Sequence, residues 1–303
     1  MRLSVSALAR NPKATVGAMI LGAFGVMALL GPWWVGDPLA FVGQPHAPPF
    51  GEHLFGTNGQ GQDVLAQTVV GARITLVVGF IVGLAVTVIG ALIGVCAGYF
   101  GGRVDSVLSL LINVFLVIPG LPLAIVIAAY LPAGPGTIAL VLILTGWAWG
   151  ARVLRAQTLS LREKDFVAAA IVSGESHLRI VVVELLPNMI SLIASGFIGS
   201  TVFAIGAQVG LEFLGLGNPS VVTWGTNLFW ASNDSALLTG SWWTFVPTGL
   251  CLALIGFGLT LINFAIDDIT NPRLGAVTQW KRDVARHGVE AGSYTPVVRS
   301  HER

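Results

Sequence analysis

The sequence predicts an all-α integral membrane protein of about six transmembrane helices, and three observations carry that prediction. Of 303 residues, 54% are hydrophobic and only 10% are charged, whereas a soluble domain carries about a quarter charged residues. The apolar residues gather into six long runs, each near the ~20 residues that a spanning helix needs. Such uninterrupted runs exclude barrel strands, which alternate and are about ten residues long. Helices are then what satisfies every backbone polar group in lipid.

The first run extends from Ala14 to about Val35, behind Arg2, Arg10 and Lys13, and ends in Gly31-Pro32-Trp33-Trp34. A secretory signal has an apolar stretch of only about 7–15 residues, so this run is expected to be a retained first helix. The remaining spans are expected at Ile74–Gly98, Ser106–Leu131, Gly136–Arg155, Asn188–Val209 and Thr244–Ile266. Gly79 and Gly83, then Gly90, Gly94 and Gly98, recur at four-residue spacing, and Gly206 and Gly210 repeat the device. Small residues so spaced let helix backbones approach closely; the alternative is that membrane helices are simply rich in glycine.

Orientation follows from the basic residues. With a cytoplasmic N-terminus and six spans, Arg103, the segment from Arg152 to Arg179 and the tail after Asp267 all fall inside. Of the 16 Lys and Arg, only Arg73 then falls outside, at a helix edge where it can snorkel. The positive-inside rule therefore places both termini in the cytoplasm. Trp33, Trp34, Trp242 and Trp243 would form an outer interfacial belt.

Several chemistries find no support. There is no basic patch with interleaved aromatics, so nucleic acid is not an expected partner. Cys96 and Cys251 fall in apolar runs and are expected to be small buried hydrophobes. The five histidines lack ligand spacing, so no metal site is expected. No lysine follows a glycine, which excludes a phosphate-cradling P-loop, and no nucleophile motif stands out. The chain is expected to have no catalytic site.

Between the fourth and fifth spans lies the charged stretch from Leu161 to Asn188, LREKDFVAAAIVSGESHLRIVVVELLPN. Its charges forbid a span, yet Phe166, Val167 and Ala170, then Leu178, Val181, Val182 and Leu185, recur at helical spacing. Two short amphipathic helices are expected, broken at Ser173-Gly174-Glu175, with Pro187 in the first turn of the next helix.

This segment resembles the coupling loop of ABC importer permeases, whose motif reads E-A-A, three residues, G, nine residues, I-x-L-P. Ala169, Ala170, Gly174, Leu186 and Pro187 match; Ala168 stands in place of the usual Glu and Glu184 in place of the usual Ile. FGTNGQGQDVLAQTVVGARITLVVG (Phe55–Gly79), GYFGGRVD (Gly98–Asp105) with a proline in the third span (Pro119), EFLGLGNPSVVTWG (Glu212–Gly225) and DDITNPRL (Asp267–Leu274) resemble segments of the dipeptide/oligopeptide permease family. The long segment between the first two spans resembles that of the "C-type" partner. Relatives commonly carry Asp and Arg where this chain has Asn58 and Gln62, and often a charged pair where it has Leu110 and Asn113.

The resemblance implies a MetI-like, type I ABC importer permease fold in a bacterial inner membrane. It implies residues 1–70 as the N-terminal end, first helix and outer segment, 71–270 as a five-helix core with its coupling loop at 161–187, and 271–303 as a mobile cytoplasmic tail. It implies as partners a second homologous permease subunit, two cytoplasmic ATPase subunits that hold ATP and Mg, and an external substrate-binding protein, with no cofactor on this chain. Phe166, Ala169, Ala170, Gly174, Glu175, Ser176, Leu186 and Pro187 would meet an ATPase subunit. Asn188, Ser191, Ser195, Ser200 and Gln208, with Asn113, would line the path, or the serines would bond back onto their own helix. Trp224 and Asn227 would meet the binding protein. The cargo would be di- or oligopeptides, with oligosaccharides as the alternative suggested by SGES (Ser173–Ser176) and ELLPN (Glu184–Asn188). A self-contained secondary transporter is the rival class; it would show repeats and intramembrane acids for ion coupling, and the deep spans show neither.

Overall fold

The computed structural model describes residues 11–270, so Arg2, Arg10 and the tail 271–303 lie outside the described residues. The described residues form helices and no β-strand beyond one isolated bridge, Thr57 to Asp63. Five helices are long and apolar enough to cross a membrane, or six if one bent pair counts as a single span.

Helix α1 (Pro12–Leu30) starts on Asn11, whose side chain accepts the Lys13 N–H, with Pro12 in the first turn, where its missing N–H costs nothing. Helix α2 (Val64–Phe100) begins ten residues earlier than the apolar run. Asp63 caps it, accepting the Leu65 and Ala66 N–H groups at 2.7 and 3.0 Å, so Arg73 stands within the helix, not at its edge. The third span is broken. Helices α3 (Gly102–Val117) and α4 (Gly120–Ala129) meet at 81°. The cause is Pro119: its ring excludes the helical region for the preceding residue, and Ile118 is extended at φ −76°, ψ 126°. Helix α5 (Pro135–Arg162) is the fourth span and continues seven residues past the end of its apolar run at Arg155.

Helix α6 (Asp165–Val172) is the first of the two expected short helices. The second is not separate. A single helix, α7, runs from His177 to Phe213. A proline inside a regular helix would drive its ring into the carbonyl four residues back. Here the chain widens by one residue per turn over Ile180–Leu185, the Leu186 N–H reaching back to Val181 O, and Pro187 is accommodated without ending the helix. Leu211 closes into α7, and helix α8 (Trp224–Asn233) follows with a reciprocal Thr223–Thr226 capping box. Helix α9 (Val246–Thr270) is the last span.

Helix α2 lies at the centre, flanked by α5 and α7, while α1 and α9 pack together on one side. The spaced glycines explain the approach. A Cβ on Gly79 or Gly83 would strike Ile205 or Thr201 of α7, and one on Gly90, Gly94 or Gly98 would strike α5 at Trp147, Ala151 and Thr158. Gly206 and Gly210 behave differently: a Cβ on either would meet nothing within 4 Å, so they bring no other helix of this chain close. Gly17 and Gly258, not anticipated, bring α1 against α9.

At the α1 end marked by Trp33 and Trp34, which are 79% and 78% exposed, the segment 36–63 folds back over the bundle. Asn58 and Gln62 form a neutral network with Gln67. Asn58 Nδ2 donates to Gln62 Oε1 and Gln67 Oε1, and Gln67 Nε2 donates to Gln62 Oε1, at 2.6–3.2 Å. Trp243 turns inward to donate to Thr57 O at 3.0 Å, while Trp242 stays half-exposed.

Candidate coupling hairpin and membrane cavity

The segment between α5 and α7 projects as a hairpin. Its turn is a glycine cap: Gly174 takes φ +76°, its N–H bonds to Ile171 O at 3.0 Å, and the Glu175 N–H reaches Ala170 O at 3.1 Å. A Cβ at φ above zero would be strained, although the space around Gly174 is open. Ser176 then caps α7, accepting the Arg179 N–H at 3.4 Å, and Glu175 pairs with Arg179.

One face of the hairpin anchors it. Val167, Ile180 and Leu185 are fully buried around Tyr99 of α2, with Leu161, Ala170 and Val181 at the edge. Tyr99 also bonds through its hydroxyl to His177 Nδ1 at 2.8 Å. The other face is bare and apolar: Val172 is 88% and Leu178 75% exposed, with Phe166, Ile171 and Val182 also exposed. Of the apolar residues that recur at helical spacing, Val167, Ala170, Val181 and Leu185 join Ile180 on the packed side. Phe166, Leu178 and Val182 turn outward.

Of the expected docking residues, Phe166, Ala169, Gly174 and Ser176 are exposed at this tip, and Ala170 and Glu175 are half-buried behind it. Leu186 is not a surface residue: it packs with Val95, Leu154 and Met189 in the core. Pro187 is exposed on the flank of α7, away from the tip.

A cavity of about 640 Å³ opens between α2, the α3–α4 break, α5 and α7. Its lining includes Val86 and Thr87, Leu116, Ile118 and Leu121, Trp149 and Val153, and Ser195, Gly199, Ser200 and Phe203, with no charged side chain. The expected polar seam is therefore split. Ser195 and Ser200 line the cavity, and Ser195 donates to Asp267 Oδ1 at 3.2 Å, not to its own helix. Asn188 and Ser191 lie outside the lining; Asn188 Nδ2 donates to Glu184 O at 2.7 Å. Asn113 is outside it too, accepting from Arg152 Nη2 at 2.7 Å. Gln208 is fully buried on the opposite face of α7, donating to Glu212 Oε1 at 3.1 Å, and faces no cavity. The aromatic lining by Phe115, Trp149 and Phe203 escaped sequence reasoning, because such residues read as ordinary membrane hydrophobes.

Two further features fix the frame. Arg155 Nε and Nη2 grip the carboxylate of Asp105 at 2.5 and 2.6 Å, tying the start of α3 to α5; Asp105 is the last residue of the GYFGGRVD string. At the opposite end Trp224 is 0% exposed, its indole N–H donating to Thr68 O at 2.9 Å, and Asn227 Nδ2 donates to Gln67 O at 3.1 Å. Both side chains are spent pinning α8 onto α2, so neither presents a surface to a partner, contrary to the sequence expectation. In the neighbouring turn, burial pushes the Asp234 carboxyl above its ordinary value; His46 and the Gly59 N–H act in the opposite direction.

Comparison with known proteins agrees with this architecture. Residues 90–275 match the family model described as binding-protein-dependent transport system inner membrane component. The chain is 34% identical over 274 residues to the dipeptide transport system permease protein DppC of Bacillus subtilis (strain 168), covering 88% of this chain and 84% of that protein. It is 30% identical over 269 residues to the oligopeptide transport system permease protein OppC of the same organism, covering 87% of each. To OppC of Mycobacterium tuberculosis (strain ATCC 25618 / H37Rv) it is 34% identical over 228 residues, 74% of this chain and 77% of that one. The chain belongs to the family of binding-protein-dependent transport system inner membrane components.

Proposed function

We propose that the chain is a permease subunit of an ATP-driven, binding-protein-dependent importer, forming half of a translocation path for di- or oligopeptides. The observation that carries this reading is the hairpin: a rigidly anchored projection with a bare apolar tip, attached without a break to a helix that crosses the bundle. An exposed apolar tip of this kind marks a protein contact. The names of the relatives, all peptide permeases, supply the cargo.

The termini and the hairpin lie in the cytoplasm, by the distribution of Lys and Arg. Two ATPase subunits there bind and hydrolyse ATP with Mg, one of them seated on the tip formed by Phe166, Ala169, Val172 and Leu178. A second permease subunit completes the path, and an external binding protein delivers cargo at the Trp33 end. Closure of the ATPases pushes the hairpin; because packed bundles have discrete arrangements, a small push switches the cavity from one side to the other. The chain binds no cofactor and catalyses nothing itself. Its uncharged cavity leaves selection of the cargo to the binding protein.

The test is purification of a tagged chain from native membranes in mild detergent, with partners identified by mass spectrometry. A second six-span permease and P-loop ATPases are expected. Recovery of the chain alone, with uptake driven by an ion gradient in place of ATP, would replace this reading by a self-contained transporter.

A further inference from the structure

The transmitting helix α7 ends at a buried acid that the path does not use. Glu212 is 2% exposed. Its Oε2 accepts the Thr223 hydroxyl at 2.6 Å, and its Oε1 accepts from Gln208 Nε2 at 3.1 Å. The Gly225 N–H also reaches this carboxylate, and a Cβ at Gly225 would collide with it. One oxygen of Glu212 is thus held by the cap of α8, beside the first turn whose helix N–H groups favour an anion, and the other by Gln208 of α7 itself. On its other side, α8 belongs to α2: the Trp224 N–H donates to Thr75 Oγ1 at 3.0 Å. The loop is therefore held between two helices, and only one of them, α7, is continuous with the hairpin. At about 1.5 Å per residue, the 37 residues of α7 carry a displacement across roughly 55 Å.

We propose that Glu212 is a positioning residue, its carboxylate making α8 and the outer loop follow the hairpin-bearing helix α7 and so exposing the ATPase cycle to the external binding protein. This rests on the importer reading above. A buried carboxylate bonded by a hydroxyl and a backbone N–H across a loop is worth more than a surface pair, because its partners cannot be replaced by water.

The experiment uses the whole complex, with Cys96→Ala and Cys251→Ala as background and spin labels at Trp33→Cys and Ser232→Cys, both exposed sites. The label-to-label distance is measured before and after trapping with ATP, Mg and vanadate, and trapped nucleotide is quantified alongside. The unaltered Glu212 complex is expected to shift on trapping. Glu212→Ala and the isosteric Thr223→Val are expected to trap the same nucleotide and lose the shift; Thr223→Ser, which keeps the hydroxyl, is expected to retain it. If Glu212→Ala does not assemble, Thr223→Val carries the test. A full shift in Thr223→Val, or trapping without any shift when Glu212 and Thr223 are both intact, overturns the proposal and assigns the loop to α2. Absence of trapped nucleotide in the unaltered complex overturns the importer reading itself, and this inference with it.

Discussion

Val167→Ala separates anchoring of the hairpin from docking by it. Val167 is 0% exposed and packs on Tyr99, Ile180 and Leu185. The substitution removes two methyl groups, about 1.6 kcal/mol of transfer free energy at ~0.8 kcal/mol each. The void left behind raises the cost to about 2–3 kcal/mol, because rigid neighbours relax only partly. A loss of about 2 kcal/mol is about a 30-fold change in an equilibrium. Hydrogen exchange of the α6 amides in the purified chain is therefore expected to accelerate about 30-fold. Val172→Ala removes the same two methyl groups from a side chain that is 88% exposed. It is expected to leave α6 exchange in the isolated chain unchanged while weakening recovery of ATPase subunits. Equal exchange rates in the two variants would refute the assignment of Val167 as the anchor. Normal ATPase recovery with Val172→Asp, which puts a charge on the tip, would refute the docking face.

Gly94→Ala sets a methyl against Ala151 O and Arg155 N of α5 and is expected to lower stability in detergent by about 1–3 kcal/mol; Gly206→Ala, with open space around it, is expected to stay within about 0.5 kcal/mol. Asp234 binds its proton more tightly folded than unfolded, since burial raises its pKa from the ordinary 3.8. Its contribution is therefore fully present below that value and is lost as pH rises through the raised one; the melting temperature of Asp234→Asn should lack that fall. Cys96→Ala and Cys251→Ala, at half-buried free thiols, are expected to leave transport and melting nearly unchanged, and a large loss would give one of them a role beyond packing.

The spans and the hairpin were legible because they rest on composition and on local turn chemistry. Gly174 is the example: its position between two periodic stretches announced the break, and its φ of +76° is the turn expected there. Pro187 misled, because a proline ordinarily starts or ends a helix, and only tertiary packing of Ile180 and Leu185 decides for a widened turn. Pro119 was visible as a proline inside an apolar run, but the size of the bend was not, since hydropathy carries no direction. Among candidate site residues, Trp224 and Asn227 failed because their assignment came from the resemblance of the surrounding stretch, which carries no information on what each side chain bonds. Their partners, Thr68 and Gln67, lie more than 150 positions away in the chain. Gln208 failed for another reason: its partner Glu212 is only four residues away, but which side of α7 faces the cavity is decided by packing against other helices.

The bend at Pro119 sets main-chain polar groups in the cavity wall. A new helix start leaves its first N–H groups without intrahelical acceptors, and the helix before it leaves its last carbonyls free. Gly120 and Leu121 at the start of α4, and Leu116 and Ile118 at the end of α3, are the residues of this break that line the cavity. In hydrocarbon such peptide groups are tolerated only against protein or a water-filled space. The cavity's side chains are mostly apolar, with the hydroxyls of Thr87, Thr145, Ser195 and Ser200 among them, and the main chain of the break adds further polar groups to the wall. Part of the compartment's polarity is thus set by the fold itself, and a side-chain substitution at its walls would leave that part in place.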